Sequence, residues 1–158
     1  MTTAMESLYQ EVILDHNRNP RNFREMSDAT RHVFGRNPLC GDEVTVWVKM
    51  NGDVVDDVSF DGRGCAISKA SASLMTSAVK GKTRAEVHDL FDRFHALMTA
   101  SPVSAAEPRA DSKALGRLAV LGGVARFPAR VKCATLAWHA LQSAIEGGDG
   151  EVSTDDQL

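Results

Sequence analysis

The chain has 158 residues, 43% of them hydrophobic, with a formal net charge of -3 and a pI near 5.9. That length and apolar content fit one globular domain burying roughly 70% of the surface its unfolded form exposes. There is no long basic stripe, and the few aromatics are not interleaved with Arg or Lys, which argues against nucleic acid as a partner.

The first twenty residues, MTTAMESLYQEVILDHNRNP, carry acids at Glu6, Glu11 and Asp15 and no long apolar run. They predict neither a signal peptide nor a membrane span, and a cytoplasmic location is expected. Met5, Leu8 and Val12 recur at helical spacing from about Thr3 to Asn17, until NRNPRN breaks the period. ATRHVFGRN, EVTVWVKM and VVDDVSFDG then read as three strands, with Val44, Val46, Val48 and Met50 on one face of the second. Asn51-Gly52 between the last two predicts a type I' hairpin turn and antiparallel pairing.

Beyond the strands the period becomes helical. Ile67, Ala70, Leu74 and Ala78 form one stripe, with Gly81 as the stop. Thr83 and Glu86 have capping-box spacing before a helix through Val87, Leu90, Phe94, Leu97 and Met98. SPVSAAEPRADSK reads as an exposed loop. Pro128 suits the first position of a last helix, whose stripe is Cys133, Leu136, Ala137, Ala140, Leu141, Ala144 and Ile145, ending before Gly147 and Gly148. Residues 1–147 are expected to form the single domain, and residues 148–158 an acidic, disordered tail.

The chain has three cysteines, Cys40, Cys65 and Cys133, an odd number with no CxxC spacing. In a reducing compartment a disulfide framework is not expected. One reading makes all three small buried hydrophobes. Their contexts favour another, because each lies near the boundary of an element. A helix N-terminus stabilises thiolate over thiol, preparing a metal ligand or a nucleophile. Asp42 is two residues from Cys40 across Gly41, so three thiolates and one carboxylate could complete a tetrahedron around zinc or iron. Such a site carries about two negative charges and calls for nearby cations. Arg63, Arg130 and Lys132 flank two of the cysteines in sequence, although a solvated surface is the ordinary place for such residues. His139 and His16 are not assigned to a metal, His16 being accounted for by the dipole at a helix C-terminus.

LYQEVILDHNRNPRN, NPLCGDEVTV, DGRGCAISKASASLM and FPARVKCATLAWHAL together resemble the IscU/NifU-like family of iron-sulfur cluster assembly proteins, most closely its SufU branch. The resemblance runs from the first helix to the last and leaves out mainly the acidic tail. It implies an α+β fold, a small three-stranded antiparallel sheet with helices packed against it. It also implies that Cys40, Asp42, Cys65 and Cys133 are the metal ligands. Lys132 stands where IscU-type scaffolds resemble this segment but carry a histidine, and a protonated lysine has no lone pair to give. The segment from about Met98 to Gly123 is longer than the IscU-type pattern and resembles the SufU insertion.

The resemblance therefore implies a zinc-dependent sulfurtransferase that accepts persulfide sulfur from a PLP-dependent, SufS-like cysteine desulfurase and serves a downstream iron-sulfur scaffold complex. Cys40, on the loop before a strand, is the expected sulfur acceptor, and Arg130 and Lys132 are the expected surrounding cations. Three other readings stay open. The same ligands could assemble a [2Fe-2S] cluster, with iron in place of zinc and Asp42 as a labile ligand. A zinc hydrolase would need a general base, for which Glu43 is the nearby candidate. The zinc could also be purely structural.

Overall fold

The structure, a computed structural model, describes residues 4–38, 41–99, 116–147 and 150–153. Elements follow the order α1 (Ala4–Arg18), β1 (Arg31–Asn37), β2 (Asp42–Asn51), β3 (Val54–Arg63), α2 (Ala66–Val79), α3 (Arg84–Thr99), a 3-10 helix (Gly116–Arg126), α4 (Pro128–Ile145) and β4 (Gly150–Ser153). Helices pack against the sheet as expected: α4 lies on β1 and β2, α2 on β3, and α1 on α2.

The sheet order is β3-β2-β1-β4. β1, β2 and β3 are antiparallel neighbours, in agreement with the sequence. β4 is an addition, because part of the segment expected as a disordered tail pairs parallel with β1, Val33 against Gly150 through Arg36 against Ser153. Its composition carries no strand pattern, but the outer edge of β1 offers a row of unpaired backbone groups that another segment can pair.

The hairpin between β2 and β3 differs in its turn. Asn51 pairs with Val54, so Gly52 and Asp53 are the two central residues. Only Gly52 has positive φ, +62°. That is the pattern of a type II' turn, with Gly at its first central position, rather than type I' on Asn51-Gly52. A register shift at Lys49/Met50 accompanies it.

Alternation sets the inner face. On β2, Val44, Val46 and Val48 are buried, and on β1, Val33 and Gly35. Both inner stripes end on polar residues, Asn37 and Asp42, which pair across the strands at one end of the sheet. Against this sheet, α2 buries Ser68, Ala70, Ser71, Ala72, Ser73, Leu74, Met75 and Thr76. Small side chains on several sides let neighbouring elements approach closely. The Ser71 hydroxyl, for example, donates to the Ala134 carbonyl of α4 at 2.5 Å.

The box at Thr83 forms as the sequence predicts. Thr83 Oγ1 accepts from the Glu86 N–H at 3.2 Å, and Glu86 Oε1 from the Thr83 N–H at 3.1 Å. The predicted α4 stripe is buried throughout, and Trp138 joins it, fully buried and stacked on Phe94 at 4.9 Å between centroids. The loop expected at SPVSAAEPRADSK lies outside the described residues. The end of the segment predicted as an insertion is ordered: the 3-10 helix buries Leu118, Val120, Leu121 and Val124 in the core shared by helices and sheet.

Candidate metal centre

The chain reverses between β1 and β2 through Gly41, whose φ of +74° suits glycine and whose N–H donates to the Asn37 carbonyl at 2.9 Å. Asp42 follows as the first residue of β2. The pleat that turns Val44 inward turns Asp42 inward too, leaving the carboxylate 1% exposed. It meets the N-terminus of α2, where Asp42 Oδ1 accepts from the Cys65 N–H at 2.9 Å and Oδ2 stands 3.8 Å from Cys65 Sγ.

Cys65 is the N-cap of α2. Its sulfur occupies the place of a capping oxygen and accepts from the Ser68 N–H at 3.4 Å. Cys133 arrives from the second turn of α4, 1% exposed, and its sulfur accepts from Asn37 Nδ2 at 3.6 Å. Hydrogen bonding from the Cys133 thiol brings the Cys65 thiol down to about 6, against the opposing effects of burial and of the Asp42 charge, with further help from the Ser68 and Ile67 N–H groups. A thiolate is therefore the favoured form of Cys65 at neutral pH.

One ligand atom each from Asp42, Cys65 and Cys133 lie within 4.8 Å of one another. Two thiolates on one tetrahedral zinc, at about 2.3 Å each, stand about 3.8 Å apart, so this spacing and this sulfur-rich donor set fit zinc. Cys40, the fourth expected ligand, lies outside the described residues, two positions before Asp42.

Arg63 is largely exposed and pairs with Glu43 at 3.1 Å. Glu43 alternates with Asp42 and belongs to the outer face of β2, which removes the geometric basis for its role as a hydrolytic base. Arg130 and Lys132 lie three residues and one residue before Cys133 on α4. Helical spacing puts Arg130, rather than Lys132, on the Cys133 side.

His139 and His16 lie apart from the cluster. His139 is edge-on to Phe91 at 5.4 Å, and burial lowers it to about 4. His16 does not act as the dipole-stabilised cation expected of it. It is 3% exposed, its Nδ1 is 2.7 Å from Ser73 Oγ, and burial lowers its pKa.

Two residues of the site were not singled out in the sequence. Asn37 was legible in principle, as a polar residue in phase with Val33 and Gly35. Gly64 was not: a Cβ there would stand 2.6 Å from Asp42 Oδ1, so the carboxylate needs a glycine at this point.

The geometry agrees with what the chain is similar to. It is 42% identical over 148 residues to the zinc-dependent sulfurtransferase SufU of Bacillus subtilis, covering 92% of this chain and 96% of that one. It is 40% identical over 144 residues to the iron-sulfur cluster assembly scaffold protein IscU of Streptococcus pyogenes, covering 91% and 86%. Among solved structures it is similar to a Fervidobacterium islandicum protein described as an iron-sulfur cluster assembly scaffold for the SUF system, with a TM-score of 0.77 and 32% identity over 88% of this chain and 97% of that one. The family model of the NifU-like N-terminal domain matches residues 8–134, and the chain belongs to that family.

Proposed function

We propose that this iron-sulfur cluster assembly protein of the IscU/SufU type is a zinc-dependent sulfurtransferase, working in the cytosol with a PLP-dependent cysteine desulfurase. The observation that carries the reading is the convergence of Asp42, Cys65 and Cys133 at one end of the sheet. The name of the Bacillus relative supports zinc. Lys132 supports it too, since this chain has no histidine beside Cys133 to serve as an additional ligand.

In this reading Asp42, Cys65, Cys133 and Cys40 hold the ion, with Arg130 on the Cys133 side of α4 as the nearer balancing charge. Zinc, when bound, keeps thiols as thiolates at neutral pH without redox chemistry. Asp42 and Cys65 are fixed by the α2 N-terminus and Cys133 by α4, whereas Cys40 belongs to the connection between strands and is the ligand that leaves. Its thiolate attacks the outer sulfur of the desulfurase persulfide. A new S–S bond forms on Cys40, the donor S–S bond breaks, and the donor cysteine departs as thiolate. The sulfane proton stays with the transferred sulfur, so no outside oxidant or reductant is needed. The persulfide then passes to a downstream iron-sulfur scaffold complex.

The test is to mix the protein with its desulfurase and free cysteine, trap persulfides by alkylation and map them by mass spectrometry. Sulfur is expected on Cys40, and Cys40→Ser is expected to abolish stimulation of the desulfurase. Persulfide on Cys65 or Cys133 with Cys40 unmodified would reject the assignment. Elemental analysis should give about one zinc per chain, with Asp42→Ala keeping more metal than either Cys65→Ala or Cys133→Ala. The scaffold names of the Streptococcus and Fervidobacterium relatives favour a second reading, in which the same ligands hold a [2Fe-2S] cluster as cargo. Stoichiometric iron and negligible zinc, with cluster transfer to an apo-protein, would select it.

A further inference from the structure

The inner stripe of β1 runs Val33, Gly35, Asn37, so an amide occupies a place where the alternation of the strand calls for an apolar side chain. Asn37 is fully buried, and an amide at that depth is costly unless its polar atoms are bonded. In the strand register it faces Asp42, the carboxylate of the thiol cluster.

The two halves of Asn37 serve different parts of the site. Its main-chain carbonyl accepts from the Gly41 N–H at 2.9 Å and closes the reversal between β1 and β2, to which Cys40 belongs in sequence. Its side chain crosses to α4, where Nδ2 donates to Cys133 Sγ at 3.6 Å. A thiolate sulfur only accepts, so the amide has to turn its NH2 group towards it.

The other two described members of the cluster take main-chain donors from the start of α2, Cys65 from the Ser68 N–H and Asp42 from the Cys65 N–H. Cys133 is not placed to be served in that way. It is the sixth residue of α4, past the first four N–H groups, which are the ones a helix leaves free. A donor to its sulfur has to come from another element, and Asn37 supplies one. A hydrogen bond to a thiolate is charge-assisted, holds the sulfur in one direction and draws electron density from it. Lower electron density makes the sulfur a poorer nucleophile. Both effects suit a thiolate that remains on a metal rather than one that attacks.

We propose that Asn37 is a positioning residue of the metal centre: its amide fixes the direction of the Cys133 sulfur and damps its nucleophilicity, so that Cys133 stays a ligand while Cys40 leaves. The inference rests on the zinc-site reading given above and adds to it the reason why this thiolate stays.

The test uses the full chain. In protein loaded with cadmium in place of zinc and labelled for NMR, a scalar coupling is expected between the Asn37 side-chain N–H proton and the cadmium nucleus, carried through the Cys133 sulfur. Asn37→Val keeps a strand-forming residue at the position and removes the donor. It should bind zinc about tenfold more weakly in competition with a chelator. In cobalt(II)-loaded protein its sulfur-to-cobalt charge-transfer band should move to lower energy, because a sulfur without the N–H gives up charge more readily. A residue that served packing alone could weaken zinc but would leave the band in place. The proposal is overturned if the wild type shows no coupling, if the band of the variant coincides with that of the wild type, or if the zinc affinity of the variant is unchanged; should Asn37→Val not fold, the coupling in the wild type decides. None of these readouts involves sulfur transfer. Persulfide missing from Cys40 would therefore reject the sulfurtransferase reading alone, and a missing coupling the role of Asn37 alone.

Discussion

The start and the middle of α2 hold polar groups that meet opposite fates. At the N-terminal end, Cys65 is surrounded by donors, the Cys133 thiol and the N–H groups of Ser68 and Ile67, and its charged form is favoured although Asp42 opposes it. Eight residues on, Ser73 holds His16, where burial and the guanidinium of Arg21 favour the uncharged form. Burial by itself disfavours charge at both places. The neighbours decide the outcome: hydrogen-bond donors win at the helix start, and at His16 the nearest cations reinforce the desolvation. A single helix thus favours the charged form of a thiol at its start and the uncharged form of a histidine at its middle.

The comparison can be broken most severely at the thiol end. If the ion joins β2, α2 and α4, stripping zinc with a chelator should lower the melting temperature by about 10 °C, as expected of a ligand present near a thousandfold above its dissociation constant. An unchanged melting curve after verified zinc removal would remove the cross-linking role.

Next in size is Gly64→Ala. The new methyl would press on Asp42 Oδ1, displacing the carboxylate that caps α2. A loss of about 2–3 kcal/mol in denaturant unfolding is expected, together with weaker metal binding. A normal zinc affinity in this variant would show that Asp42 needs no exact placement.

A smaller effect should come from His139, which is on the neutral side of the comparison. Its pKa in the fold, about 4, is below the usual 6.5, so the unfolded chain binds the proton more readily between those values. Stability should accordingly fall as pH drops from about 6.5 towards 4. His139→Leu should flatten that fall by about 1–2 kcal/mol, after allowance for the ring's partial exposure. Identical pH profiles for variant and wild type would count against it.

The last expectation concerns reactivity. In metal-free protein the alkylation rate of Cys65 should rise through a midpoint near pH 6. Cys133→Ala removes the largest influence lowering it, so the midpoint should move up towards 9.0. An unmoved midpoint would assign the effect to the helix N-terminus instead.

The local periods, the capping box at Thr83, the three antiparallel strands and the four ligand-type residues were legible in the sequence, because each is a pattern of neighbours along the chain. So was the family resemblance, carried by short motifs around the cysteines. What only the tertiary structure decided were relations between distant segments. The β4 pairing depends on an open backbone edge rather than on side-chain pattern. The bond between Asn37 and Cys133 joins residues 96 apart. The need for glycine at 64 comes from a carboxylate 22 positions earlier. His16 could be read as an ordinary helix-end histidine until Ser73, 57 residues away, was found against it. Sequence spacing determines which face of an element a residue occupies; which charges and donors that face then meet is set by packing, and packing lowers the pKa of both Cys65 and His16.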